Sequence, residues 1–374
     1  MRPIAILLLC LASGNVFAEE TLKTLKWKLD TTQDGLSHVW ERACFSADGS
    51  SILAIEKGVD QQSAVKSVTL REISRAGKVV REQLLFADRL SKRSSPPIRP
   101  FTMAMSPVPE GMMLVATVDD DLQPSIVMLD ENWDVVTVTP LAKLIANAIL
   151  VNSVNHVDGT ILLGTNGKEA VAAQLSLKGE VAWSRSYSRE KRSSALTACC
   201  RSQDGSILYL FGHTGITNKF GVGPQDLWII RATAEGQVID EQFFPGRNPV
   251  AAGPFEDGNL AVLFDVKTDF NTENRLRIID GTGKKLSESP IEMGSFFTIH
   301  RPSMHKYGKN RFLMAGDAKV VEYDSLGREI GRIGKNMVLP LRQPSLVVHG
   351  ASFLVIGNYY EPNEPNMGTL YFVE

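Results

Sequence analysis

Cysteine and histidine are scarce in this chain, at 4 and 6 of 374 residues. No apolar run reaches the ~18 residues that a membrane-spanning helix needs. Neither sign of charge dominates: Lys+Arg number 40 and Asp+Glu 42, a formal net charge of −2, which points away from nucleic acid held by bulk electrostatics. There is no collagen-like glycine period, and a hydrophobic fraction of 43% is too high for a disordered chain. The sequence also lacks a phosphate-binding Gly-rich loop, a His-Glu-x-x-His motif and a Ser-His-Asp order, so the usual short signatures of catalysis are missing. What remains is a large globular chain whose information lies in repetition.

The first residues read as an export signal. Arg2 supplies a charged start, Ile4 to Ala12 an apolar stretch, and Val16-Phe17-Ala18 places small residues where signal peptidase cleaves. The expected organisation is a signal peptide over 1–18 and one domain over 19–374, in the periplasm or secreted. A competing reading takes Leu7-Leu8-Leu9-Cys10 as a lipoprotein anchor, although that processing favours a small residue where Leu9 stands.

A tight turn followed by an apolar strand recurs along the rest of the chain. The turns are Asp48-Gly49, Glu110-Gly111, Asp158-Gly159, Asp204-Gly205 and Asp257-Gly258, with degenerate copies at Lys309-Asn310 and Gly350. Asp-Gly between β-rich runs is a strong hairpin signal, because glycine reaches the positive φ the turn requires. Each apolar strand leads through a variable loop to a further strand and a second turn, such as Lys178-Gly179-Glu180 or Thr282-Gly283-Lys284, and then to an outer strand. Seven copies at roughly 40 to 60 residues predict an all-β, seven-bladed propeller with four antiparallel strands per blade.

Only six second turns serve the seven copies, and the seventh ends at Thr369 to Val373 without an outer strand. The orphan segment Thr21 to Leu29 is therefore expected to supply it, which closes the ring and removes a loose sheet edge. The chain resembles bacterial secreted β-propellers of the PQQ-like and WD-like repeat type at the level of architecture. Gly179-Glu180-Val181-Ala182-Trp183 is similar to the Gly-x-x-x-Trp docking motif of PQQ-type blades, but it occurs once. The repeated Trp-Asp ending of WD blades and the Ser-x-Asp-x-Gly-x-Thr-Trp box of sialidases are absent, so the resemblance implies neither a cofactor nor sugar cleavage.

Export would leave Cys44, Cys199 and Cys200. Cys44 and Cys200 occupy equivalent places on the first strands of blades 1 and 4, which puts them across the ring and out of disulfide range. Cys199 and Cys200 are neighbours, open either to a strained vicinal disulfide or to service as small buried apolar groups. The histidines His38, His156, His213, His300, His305 and His349 show no metal-ligand spacing. Asp119-Asp120-Asp121 reads as a solvated loop before a calcium cluster.

The two faces of the ring differ in length of connection. One has short turns; the other carries the intra-blade segments Glu56 to Ala64, Asp119 to Pro124, Gly212 to Gln225, Asp265 to Asn274 and Gly357 to Met367. Long connections on a rigid scaffold are where recognition concentrates. Within them His213, Lys219 and Phe220 of blade 4 and Tyr359 and Tyr360 of blade 7 are the candidate contact residues. The inter-blade connections add Arg99-Pro100, Arg247-Asn248-Pro249, Arg301-Pro302 and Arg342-Gln343-Pro344, with Arg192 in a comparable place. Converging Arg99, Arg247, Arg301 and Arg342 would make an anion site at the channel mouth. The plainer alternative is that each arginine ties one blade to the next.

The resulting expectation is a binding module for a protein partner in the cell envelope, working through the long-loop face, with an anionic ligand as an additional candidate and no cofactor, metal or nucleic acid. The alternative is a hydrolase or lyase acting on an anionic sugar or similar substrate at an arginine-lined mouth.

Overall fold

The computed structural model describes residues 25–31, 37–59, 65–85, 102–117, 124–143, 145, 149–156, 158–189, 192–218, 221–267, 272–291, 303–316, 319–333, 342–359 and 367–374. Among the described residues twenty-eight strands build seven blades, each a sheet of four antiparallel strands running outward from a central axis. Blades 1 to 6 occupy residues 37–84, 102–140, 149–187, 193–245, 247–290 and 303–333, and blade 7 occupies residues 342–373 with one strand borrowed from the N-terminal side. No helix among the described residues is long and apolar enough to cross a membrane.

The borrowed strand is Leu25–Asp30, which pairs antiparallel with the third strand of blade 7, Met367–Val373, in the register Lys28↔Tyr371 and Asp30↔Thr369. This is the ring closure expected from the strand count. Thr31 fastens the closure from both sides: its Oγ1 accepts from the Gly368 amide at 3.0 Å and donates to the His38 carbonyl at 3.1 Å. A parallel bridge between His38 and Met367 then carries blade 7 directly into blade 1.

The hydrophobic core is not one mass but seven layers, each between two adjacent blades. Leu53, Ile55 and Leu70 of blade 1 meet Met112, Leu114 and Trp133 of blade 2. At the seam, Ile52, Ala54 and Ile73 of blade 1 meet Leu354, Leu370 and Phe372 of blade 7. Strand alternation produces this arrangement, because successive side chains point to opposite faces of a blade and both faces are covered. Second and third strands accordingly read as near-continuous apolar runs, such as Ile161-Leu162-Leu163, all fully buried. Each such side chain contributes roughly 1.5 to 3 kcal/mol through burial.

The second turns share a further device. The residue three before the turn's left-handed position is Ser74, Asp130, Ser176, Thr233, Asp280 or Asp324, and its side-chain oxygen accepts amide hydrogens from within its own turn. Asp280 Oδ1, for instance, takes the Thr282 and Lys284 amides at 2.9 and 3.0 Å. Five of these turns have glycine at the left-handed position, and in blade 2 Trp133 stands there instead at φ +63°. The turns also dock on the blade before them. A Cβ added at Gly236 of blade 4 would lie 2.9 Å from the Trp183 ring of blade 3, and Tyr187 Oη donates to the Gly236 carbonyl at 2.9 Å. In blade 2 the Trp133 ring is covered instead by Arg81 of blade 1, whose guanidinium carbon sits 3.9 Å from the ring centre.

Candidate functional site

The inner strands fix what can be presented at the channel mouth. Six of the seven carry a β-bulge near the long-loop end, between Trp40 and Arg42, Thr102 and Ala104, Leu150 and Asn152, Leu196 and Ala198, Arg247 and Val250, and Arg342 and Ser345. A bulge bends its strand and re-aims the residues beside it. In blades 5 and 7 the extra residues include Pro249 and Pro344, which have no amide hydrogen to give to a ladder. Arg247 and Arg342 stand at the same point, just before the bulge, opposite Asp265 and Asn358 of their second strands.

Of the nine residues proposed from the sequence to make contact, Arg247 and His213 have described side chains. Arg342 and Tyr359 are placed through their strands, and Arg99, Arg301, Lys219, Phe220 and Tyr360 lie outside the described residues, as do Asp119 to Asp121, His300 and the N-terminal segment. Arg247 is turned toward its own blade, with Nε 3.9 Å from Asp265 Oδ2. Asn248, at φ +51°, donates to the same oxygen at 3.0 Å. His213 is half-buried in a strand, opposite Ala195 and Leu227, and not in a loop.

The segment Gly212 to Gln225, expected as a loop, is mostly ladder. In blade 4 the second strand is Ile207–Asn218 and the third Gly221–Thr233, paired from Ile207↔Thr233 out to Asn218↔Gly221. At 12 residues this second strand exceeds those of the other blades, which have 6 to 9. The added pairs project from the long-loop face at about 3.3 Å per residue. Thr214, Ile216, Thr217 and Val222 are β-branched, so the pairing continues where the glycines around them suggested a loop.

At the foot of this hairpin sits a charged group of which the sequence pointed only to Arg192, leaving Arg189 and Asp226 unmarked. Arg189 and Arg192, in the connection between blades 3 and 4, bridge each other and share Asp226 Oδ2 through their Nη1 atoms at 2.9 and 2.5 Å. The Arg189 guanidinium lies 3.7 Å from the centre of the Phe243 ring. Blade 1 holds a second group: His38 Nδ1 meets Glu56 Oε1 at 2.7 Å, Arg71 Nη1 meets Glu56 Oε2 at 3.0 Å, and Lys57 Nζ meets Glu41 Oε1 at 3.0 Å. Glu56 is 2% exposed, and its signal in the sequence is an acid at the end of the apolar run Ile52 to Ile55.

On the opposite face, Arg201 Nη1 donates to Asp158 Oδ2 and Arg201 Nη2 to Gln174 Oε1, at 2.8 and 2.7 Å, while Trp183 Nε1 donates to the same Gln174 oxygen at 2.8 Å. This ties blade 3 to blade 4. His156 lies beside it, its imidazole pushed down to about 4 by burial, with Arg201 adding to the effect. Asp48 and Asp204 cap first turns; amide and hydroxyl donors from Ser50 and Ser46, and from Ser202 and Ser206, hold both carboxyls down at about 2.

Cys44, Cys199 and Cys200 are buried and unpaired. Cys199 enters the layer between blades 3 and 4 and Cys200 the layer between blades 4 and 5, because neighbours on a strand face opposite ways. Burial pushes the Cys44 and Cys199 thiols up to about 12 and Cys200 in the same direction, so none is a ready nucleophile. Among the described residues no group of three or more His, Cys, Asp or Glu side chains is placed to hold a metal ion.

No protein-family model matches the chain, and no curated protein does. Solved structures share its fold. The Pan2 WD40 domain of Neurospora crassa is 7% identical with a TM-score of 0.51, over 89% of each chain. A puromycin-hydrolyzing peptidase of Mycobacterium tuberculosis is 13% identical with a TM-score of 0.51, over 87% of this chain and 51% of that one. A Dyadobacter fermentans protein of unknown function is 8% identical with a TM-score of 0.49, over 95% and 99% of the two chains. At such identities the likeness is one of fold. The chain is a seven-bladed β-propeller whose architecture is consistent with the PQQ-like and WD-like repeat type.

Proposed function

We propose that this protein is an exported, periplasmic binding module that recognises a protein partner through the long-loop face of its propeller. The observation that carries this reading is the blade 4 hairpin, a two-stranded projection on a ring whose other face is made of short capped turns. A strand pair that extends past the scaffold adds little to the inter-blade layers, so its length is better explained by what it touches. The enzyme alternative requires carboxylates free to act at the channel mouth. Four of those described on this side are engaged: Asp265 by Arg247 and Asn248, Glu56 by His38 and Arg71, Glu41 by Lys57, and Asp226 by two arginines.

The test replaces residues 216–224 by Asn-Gly, joining Gly215 to Gln225 in their existing register through a tight turn. Immobilised mature protein and this short-hairpin variant are exposed to a periplasmic extract. A protein retained by the first and released by the second supports the reading. Equal retention by both, or retention by neither, overturns it.

A further inference from the structure

Arg189 and Arg192, three residues apart, face each other in an isolated bridge outside the strands, the Arg192 amide donating to the Arg189 carbonyl at 3.1 Å. Like charges set opposite each other in a ladder repel, and such a pair persists only where something offsets the repulsion. Here the offset is partial. Asp226 supplies one negative charge to two guanidinium groups, and both reach the same oxygen, Oδ2. The group keeps a net charge of about +1 by this count of formal charges.

Geometry leaves donors to spare. Both contacts to Asp226 are made by Nη1, and the further polar contact of Arg189, to Thr214 Oγ1 at 3.4 Å, also uses Nη1. The Nε and Nη2 edges have no acceptor among the described residues, and the side chains are 32% and 28% exposed. A guanidinium carries five N–H donors in a planar fork that fits a carboxylate through two parallel bonds. Arg189 is also pre-ordered, because its plane lies on Phe243, which stacks in turn on Trp228 at 5.8 Å. Little side-chain freedom remains to be lost when a ligand arrives. The pair stands where Thr214 and Asp226 face each other, at the point where the hairpin leaves the ring.

We infer that Arg189 and Arg192 form a clamp for a side-chain carboxylate of an acidic protein segment that docks beside the blade 4 hairpin. This rests on the binding-module reading and names the chemistry of its partner. Asp226 then has two roles: it holds the guanidinium groups in place and competes with the incoming carboxylate for them. An intramolecular competitor of this kind sets a threshold, so that a lone carboxylate binds weakly and a run of several displaces or bridges it. Burying the pair beneath a partner would raise the worth of each contact, since charge-assisted hydrogen bonds strengthen when water is excluded.

The probe is a fluorescently labelled hexaglutamate peptide, titrated into the mature protein at low ionic strength and read by anisotropy, with hexaserine as control. Binding of hexaglutamate alone, weakened by added salt, is expected. Arg189→Gln with Arg192→Gln is expected to weaken it about tenfold or more, the fold-change that corresponds to losing one or two charge-assisted hydrogen bonds. Asp226→Asn keeps an acceptor for the arginines while removing the competing charge, and is expected to tighten binding severalfold; a purely structural ion pair would give no gain. Arg192→Gln alone leaves the stacking on Phe243 intact and is read beside the double variant in case the latter unfolds. Unchanged binding in the arginine variants, weaker binding in Asp226→Asn, or displacement of the peptide by inorganic phosphate at lower concentration than by succinate each overturns the proposal. Peptide binding together with failure of the extract experiment would leave the clamp standing and remove the hairpin reading; the opposite pair of results would do the reverse.

Discussion

Replacing Thr31 by valine should open the ring at one defined point. The two side chains have nearly the same shape, and Thr31 is 4% exposed, so packing changes little and the effect isolates two hydrogen bonds. Valine can neither accept from the Gly368 amide nor donate to the His38 carbonyl. Both partners sit in buried residues at the seam, where a Cβ on Gly368 would already approach the Trp40 amide nitrogen to 2.5 Å, so water has no room to replace the hydroxyl. An unsatisfied buried amide costs about 1 to 3 kcal/mol, and the lost carbonyl bond about 1 more, which gives about 2 to 4 kcal/mol in total. For a domain of this size that corresponds to a fall in Tm of roughly 3 to 6 °C. Thermal unfolding followed by circular dichroism measures it, and Thr31→Ser serves as control because it keeps both bonds and loses one methyl group, about 1 kcal/mol. Amide exchange along Leu25–Asp30 should accelerate in the valine variant more than exchange in blades 3 and 4, since the clasp joins positions 337 residues apart. If Thr31→Val melts with the native protein, or above Thr31→Ser, the view that the N-terminal strand is pinned through this hydroxyl is refuted.

Trp133→Gly should destabilise by about 2 to 4 kcal/mol in denaturant titration: relief of the left-handed conformation returns ~1 kcal/mol, but loss of a large buried ring removes about 3 to 5. Equal or greater stability of the glycine variant would mean that the ring and its Arg81 cover contribute nothing to the blade 1 to blade 2 layer. Gln174→Leu leaves the Trp183 indole N–H without its acceptor and Arg201 with Asp158 alone, so a loss of about 2 to 4 kcal/mol is expected, measured as a shift in denaturant midpoint at unchanged m-value. His156 is held near 4 against 6.5 in the unfolded chain, so the unfolded state takes up the proton first. Stability should therefore fall as pH drops through the window from 6.5 to 4, and His156→Asn should flatten that slope. The turn carboxyls Asp48 and Asp204 are depressed, and their contribution is lost only lower, as pH falls from about 3.8 to about 2. A native profile identical to that of His156→Asn between pH 4 and 6.5 would refute the assignment.

The fold was legible because each blade announces itself locally. Asp48-Gly49 and Asp204-Gly205 specify their hairpins within a few residues, and the missing outer strand of the seventh copy could be counted without knowing any contact. The acid or hydroxyl three places before each second turn was equally local, yet Ser74, Thr233 and Asp324 differ in identity while doing one job, which hides the repeat from a search for identical letters. The polar groups follow another rule. Arg189 finds Asp226 at 37 residues' separation and Arg201 finds Asp158 at 43, each across a blade boundary, and nothing in the neighbourhood of either residue marks its partner.

A repeat protein therefore divides its sequence information in two. What recurs from copy to copy is explained by the ring, since each blade faces the same packing problem and solves it with turns and apolar strands of one kind. What departs from the repeat needs a separate cause. Arg247 and Arg342 begin equivalent inner strands before equivalent bulges, and Arg247 is paired with Asp265 of its own blade. Among the described residues, blade 4 has the longest second strand, and the isolated bridge outside the strands, Arg189 with Arg192, lies at its foot. They share one inter-blade junction, and their coincidence there is stronger ground for a recognition site than the arginine count of the whole mouth.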